Sequence, residues 1–104
     1  LSDGSLLLVL KNGAGAATGA QVIKPDGSKR LVAGTVKKGS FCVVNSGETP
    51  ETVIIAEGLA TALSVQQFRP DATIIAAIDA GNLLPVAQVM RQRYPNAVLS
   101  LSVR

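Results

Sequence analysis

The 104 residues are 47% hydrophobic and 16% charged with a net charge of +3, a balance that packs one small domain and excludes a disordered tail. Histidine is absent, so no imidazole serves as base or zinc ligand, and carboxylates must carry any acid, base or metal chemistry. With no Trp, one Tyr and two Phe the core is aliphatic and offers no base-stacking platform; the single cysteine, Cys42, has no internal disulfide partner, in keeping with a reducing cytoplasm.

The chain starts at Leu1 rather than at a methionine, so an excised or processed piece is expected, and the apolar run Leu6 to Leu10 is too short to span a bilayer. Ser5 to Leu10 reads as a strand. The glycines that follow, Gly13, Gly15 and Gly19, have the spacing G-x-G-x-x-x-G, which departs from the dinucleotide fingerprint G-x-G-x-x-G. No helix follows, because Pro25-Asp26-Gly27 signals a turn, and no acidic residue lies about 20 positions on to hold a ribose. Lys11 to Gly19 is therefore expected to be a flexible loop. From Ala20 the pattern is a meander: Gln21 to Lys24, a turn, Lys29 to Val32, a turn around Lys37-Lys38-Gly39, then Ser40 to Val44. Lys24, Lys29, Arg30, Lys37 and Lys38 fall at its turns and strand ends. They form either a solvated, aggregation-resistant edge or a basic edge for a nucleic-acid backbone. Cys42 reads as a small buried hydrophobe, and Asn45 to Glu51 as a polar linker.

The second half alternates strand and helix. Thr52 to Ala56 is a run of apolar and β-branched residues suited to a strand buried on both faces, as in parallel sheets. It ends at Glu57-Gly58, where the glycine is expected to permit a sharp turn and close ligand approach. Leu59 to Phe68, free of Gly and Pro, predicts a helix. Arg69-Pro70-Asp71 breaks the chain, and Thr73 to Ile78 predicts a second buried strand ending at Asp79-Ala80-Gly81-Asn82. Leu83, Val86, Ala87, Met90 and Tyr94 then mark the apolar stripe of a second helix. Asn82 is placed as its N-cap, Pro85 in its first turn, and Arg91 and Arg93 in its last turn before Pro95-Asn96. Ala97 to Val103 predicts a third strand. Three strands joined by two helices belong in one parallel sheet with right-handed crossovers.

That arrangement puts Glu57 and Asp79 at the carboxyl ends of parallel strands, where open α/β sheets bind ligands. Two carboxylates facing one crevice suit Mg²⁺, which accepts a few carboxylates together with water and substrate phosphates, or a general base. Asp79 could equally begin a turn, accepting hydrogen bonds from the amides of Gly81 and Asn82. Turn geometry gives no such reason for a glutamate at 57.

The letters VIIAEGLATAL at Val53 to Leu63, with AAIDAGNL at Ala76 to Leu83 and the preceding PDGSKRLVAGTVKKGSFCVV, resemble the Toprim domain of phage- and plasmid-encoded DNA primases and the β-rich segment leading into it. The resemblance covers roughly residues 20 to 97. It implies a Toprim-like α/β fold: a parallel sheet with flanking helices, preceded by a small antiparallel β meander. Residues 1–45 form the β-rich segment and 46–104 a partial Toprim-like unit, together one compact domain. It also implies Mg²⁺ or Mn²⁺ as cofactor, and Glu57 as general acid/base and metal ligand. Asp79 is a weaker ligand, and Gly58, Gly81 and Asn82 are structural at the site. The implied partners are a single-stranded DNA template and nucleoside triphosphates, with helicase or other replication domains and no membrane, in a cytoplasmic setting. The family continues the third strand into a D-x-D metal site. Here that stretch reads AVLSLSVR, and no acidic residue follows Asp79, so the chain alone is expected to bind Mg²⁺ weakly and make no primers. The alternatives are a non-catalytic nucleic-acid-binding module, or a Toprim enzyme of topoisomerase or nuclease type. The latter would require a nucleophilic tyrosine or further metal ligands, and Tyr94 on a helix stripe is poorly suited to attack.

Overall fold

Among the described residues seven strands form two sheets, one wholly antiparallel and one mixed, and two α-helices pack against the mixed one. The computed structural model describes residues 2–47 and 51–102. Strands β1 (Leu6–Lys11), β2 (Ala17–Ile23) and β3 (Lys29–Leu31) make an antiparallel meander in the order β1-β2-β3. The glycine-rich segment is the hairpin that joins β1 to β2. Asn12 organises it, its side-chain oxygen accepting from the amides of Ala14 and Ala16 at 3.0 and 3.1 Å. The expected loop extends to Gly19, but β2 already begins at Ala17. Gly19 has a φ of +152°, and a Cβ there would collide with the side chain of Thr35. The glycine therefore serves close packing of the loop after β3 onto β2.

The second sheet has the order β4-β6-β5-β7, built from β4 (Cys42–Asn45), β5 (Thr52–Ala56), β6 (Thr73–Ala76) and β7 (Val98–Ser102). β5 pairs in parallel with both β6 and β7, as the sequence predicts, and β4 is an antiparallel edge on β6. The sequence pattern assigns Ser40 to Val44 to the meander. Instead Cys42 and Val43 pair with Ala76 and Ile75, because β4 completes a hydrophobic sheet that the short β3 could not extend. The second strand is also shorter than expected, pairing from Thr73 only to Ala76. Of the expected linker, Glu48, Thr49 and Pro50 lie outside the described residues, as does Val103 of the third strand.

The central position of β5 fixes the helices. The connection through α1 (Leu59–Phe68) steps from β5 to β6 on one side. The connection through α2 (Leu83–Arg93) steps back across β5 to β7. Two right-handed crossovers in opposite directions put the helices on opposite faces. The period of two along the strands distributes the core accordingly. Val53, Ile55, Ile75 and Ala77 pack with Leu83, Val86 and Met90 of α2, while Ile54, Ala56, Ile74 and Ala76 pack with Ala62 of α1. The α2 stripe is as the sequence predicts, with Ala87 and Tyr94 partly buried against the same cluster.

The sheets meet at Lys11 and Phe41, whose backbones exchange two hydrogen bonds of 2.9 Å. Phe41 carries its ring into the α2 side of the core. Gly13 of the β1–β2 hairpin lies against Val89 of α2, where an added Cβ would come within 2.7 Å. The meander is thereby fixed over one end of the α/β sheet.

Candidate functional site

A cleft of about 600 Å³ opens between the two sheets at the carboxyl ends of β5 and β6. Its floor is Glu57, Gly58 and Thr61 from the β5–α1 junction, with Ile78 and Asp79 beyond β6. Gln21, Lys29, Arg30 and Leu31 of the meander, with Lys37 from the loop after β3, form its other wall. Glu57 and Asp79 thus share one cleft. Of the five basic residues singled out from the sequence, Lys29, Arg30 and Lys37 line it, and Lys24 and Lys38 do not.

The two carboxylates sit in different surroundings. Among the described residues, no hydrogen bond or ion pair engages the side chain of Glu57. Asp79 is engaged at both oxygens. Oδ1 accepts from the amide of Asn82 at 3.1 Å, capping the short 3-10 turn Ala80–Asn82, and Oδ2 accepts from Lys37 Nζ at 2.9 Å. The Lys37 and Asp79 side chains are 44% and 46% exposed, so water screens the pair and it contributes only about 0.2–1 kcal/mol. Lys29 and Arg30 have no acidic partner among the described residues. Three cations facing two carboxylates leave the cleft with a small excess of positive charge, suited to an anionic ligand.

Asn82 does not cap α2 with its side chain. It is 1% exposed and ties the two halves together. Its Nδ2 donates to the carbonyls of Ser40 and Ala77, each at 2.8 Å, and its Oδ1 accepts from the amide of Gly39 at 2.9 Å. The carbonyl of Lys37 accepts from the amide of Ser40 at 3.0 Å. Lys37 and Asp79 are therefore anchored to the same residue from opposite sides. Gly58 is extended, φ −147° and ψ −179°, a conformation open to any residue, so the expected sharp turn is not its role. What matters there is space: an added Cβ would stand 3.2 Å from Lys29 Nζ, so the bare backbone lets that ammonium approach the Glu57 turn. Gly81 shows no comparable demand, its added Cβ making only an ordinary 3.5 Å contact with Asp79 Oδ1.

Of the lining residues that sequence reasoning missed, Ile78 and Gln21 stand out. Ile78 has a φ of +83°, the one positive value among described non-glycine residues. For a β-branched side chain that is a strained conformation, and it turns the chain out of β6 into Asp79. Gln21 is 7% exposed on β2; a glutamine among small and apolar strand residues was the available signal. Tyr94, the tyrosine weighed as a nucleophile, lines a separate pocket with Glu51, Arg93 and Ala97 and is not brought to the cleft.

Among the described residues no group of three or more Cys, Asp or Glu is arranged to hold a metal. Glu57 and Asp79 match the smaller donor set that Mg²⁺ accepts, one or two carboxylates completed by water and substrate phosphates, and not an all-protein cage.

Comparison with known proteins adds the missing context. Over 79 residues, 73% of its length, the chain is 37% identical to a DNA primase TraC of Escherichia coli; a second DNA primase TraC from the same organism is 35% identical over the same length. The chain is related to a segment of these primases. It spans only 7% and 5% of their lengths. No family model and no solved structure matches it. Among the described residues no helix is long and apolar enough to cross a membrane.

Proposed function

We propose that this chain is the Toprim-like part of a cytoplasmic DNA primase carried by a mobile element, and that it contributes Glu57 to template-directed synthesis of RNA primers. The observation that carries the reading is the Glu57 carboxylate, unpaired among the described residues, at the end of a buried parallel strand and facing Lys29 and Arg30 across the cleft. The similarity to DNA primase TraC supports it. Nucleotidyl transfer brings together a hydroxyl that must lose its proton and phosphates that must be held in line. Glu57 takes the proton, and Lys29 and Arg30 hold phosphate oxygens as charge-assisted donors. Mg²⁺ or Mn²⁺, when bound, supplies further charge to the phosphates; Glu57 and Asp79 are the residues that would hold it, alongside ligand phosphates.

With two carboxylates and no acid after Asp79, we expect the chain by itself to bind Mg²⁺ weakly and to make no primers. The function is tested in a chimera in which this chain replaces the matching segment of the Escherichia coli TraC relative. Primer synthesis should survive the exchange and be lost on Glu57→Gln, with single-stranded DNA still bound. Undiminished synthesis by the Glu57→Gln chimera would overturn the reading. A second reading, a non-catalytic nucleic-acid-binding module, is favoured by the cations the meander brings to the cleft; it predicts DNA binding that is indifferent to Glu57.

A further inference from the structure

We propose that Lys37 is a built-in counter-ion for Asp79 that couples the two kinds of ligand in the cleft: an anion draws Lys37 away and thereby opens Asp79 to a divalent cation. The inference deepens the reading of the cleft given above and rests on it for the identity of the ligands, phosphate and a divalent metal.

Each oxygen of Asp79 already accepts one hydrogen bond. Oδ1 is committed to the Asn82 amide, which holds the turn that follows β6. Oδ2 is the remaining acceptor, and it is taken by Lys37 Nζ at 2.9 Å. An ammonium and a metal ion compete there, since they approach the same oxygen and repel one another. A divalent cation therefore binds Asp79 more tightly once Lys37 has moved aside.

Displacement is cheap in one circumstance. The Lys37 backbone is fixed through Ser40 and Gly39 to Asn82, but its side chain is a flexible four-carbon stem, 44% exposed, in the same cleft as Lys29 and Arg30. A phosphate held by Lys29 and Arg30 offers Lys37 a second acceptor within its sweep. Once Lys37 moves to the phosphate, Asp79 Oδ2 is free. Linkage makes the effect reciprocal: the anion tightens the cation by the same factor as the cation tightens the anion. Without an anion, Lys37 stays paired with the carboxylate and weakens its hold on stray divalent ions.

The test follows Mn²⁺ alone by paramagnetic broadening of the Asn82 amide resonance, which reports on the Asp79 carboxylate directly, with sulfate as a weakly chelating stand-in for phosphate. Lys37→Met should tighten Mn²⁺ by roughly two- to fivefold, the scale of an exposed ion pair. Lys29→Met removes the same charge from the cleft but no partner from Asp79, and should tighten it less. In an Asp79→Asn background the Lys37→Met gain should vanish. Sulfate should tighten Mn²⁺ for the wild-type chain by a larger factor than in Lys37→Met. A well-dispersed amide spectrum in each variant shows that the fold is intact. Equal effects of Lys37→Met and Lys29→Met, or no Mn²⁺ broadening at Asn82 in any variant, would overturn the proposal. An inactive chimera alongside a working Lys37 exchange would instead count against the primase reading alone.

Discussion

Replacing Asn82 by alanine removes a buried side chain that bonds to both halves of the molecule at the cleft base, and its cost can be worked from the structure. Three hydrogen bonds disappear, two donated to the carbonyls of Ser40 and Ala77 and one accepted from Gly39. At about 1 kcal/mol net for each, the loss is about 3 kcal/mol. It rises towards about 5, because Ser40 and Ala77 are at most 1% exposed and buried carbonyls left without donors carry their own desolvation cost of about 1–3 kcal/mol. For a domain of this size that is a fall in Tm of about 12–20 °C. Urea denaturation followed by circular dichroism measures it. Asn82→Asp is the informative comparison: its carboxylate still accepts from Gly39 but faces two carbonyls to which it cannot donate, so it should be no more stable than the alanine variant. A loss below about 1 kcal/mol for Asn82→Ala would show that the three bonds do not hold the sheets together.

Three other measurements probe separate features. At Ile78, with φ +83°, glycine should be more stable than alanine by about 1 kcal/mol, the reverse of the usual order, because only glycine relieves the left-handed strain; alanine the more stable by thermal melting would mean that the strain is absent. Neutralising Lys29, Arg30 and Lys37 should weaken single-stranded DNA binding and flatten its salt dependence by about 0.7 in log–log slope for each phosphate no longer neutralised, whereas neutralising Lys24 and Lys38 should do neither; fluorescence anisotropy across a salt series decides it. Burial pushes the Cys42 thiol pKa up, so at pH 8 the folded chain holds less thiolate and should react more slowly with iodoacetamide than the urea-unfolded chain. The same sign makes stability fall as pH rises through the ordinary thiol range, where the unfolded chain ionises first. Equal alkylation rates in the two states would refute the burial argument.

The α/β half was legible because its signals are local. Runs such as Val53 to Ala56 and Thr73 to Ala76 can satisfy neither a solvent face nor a helix stripe, and the spacing of Leu83, Val86 and Met90 admits one helical face. Which residues meet across the cleft was not legible, since pairing at a separation of 42 residues, as between Lys37 and Asp79, leaves no periodic trace. The place of β4 was hidden for the same reason: Cys42 to Asn45 carries a strand pattern, but its choice of β6 over β3 depends on which edge offers more apolar surface. Asn82 looks like an N-cap because the residue type suits that position. Its actual partners, Gly39 and Ser40, arrive from the other side of the cleft. The conformation of Ile78 had no sequence signal at all, isoleucine being among the residues least suited to it.

The cleft draws its cations from the meander and the loop after it, and its carboxylates from the α/β sheet. Neither sheet alone carries both signs of charge to the cavity. The spacing between opposite charges is therefore governed by the angle at which the sheets are clamped, through Lys11, Phe41 and Asn82. Substitutions along that seam, at Phe41 for example, would retune the electrostatic field of the cavity while leaving its chemical inventory untouched.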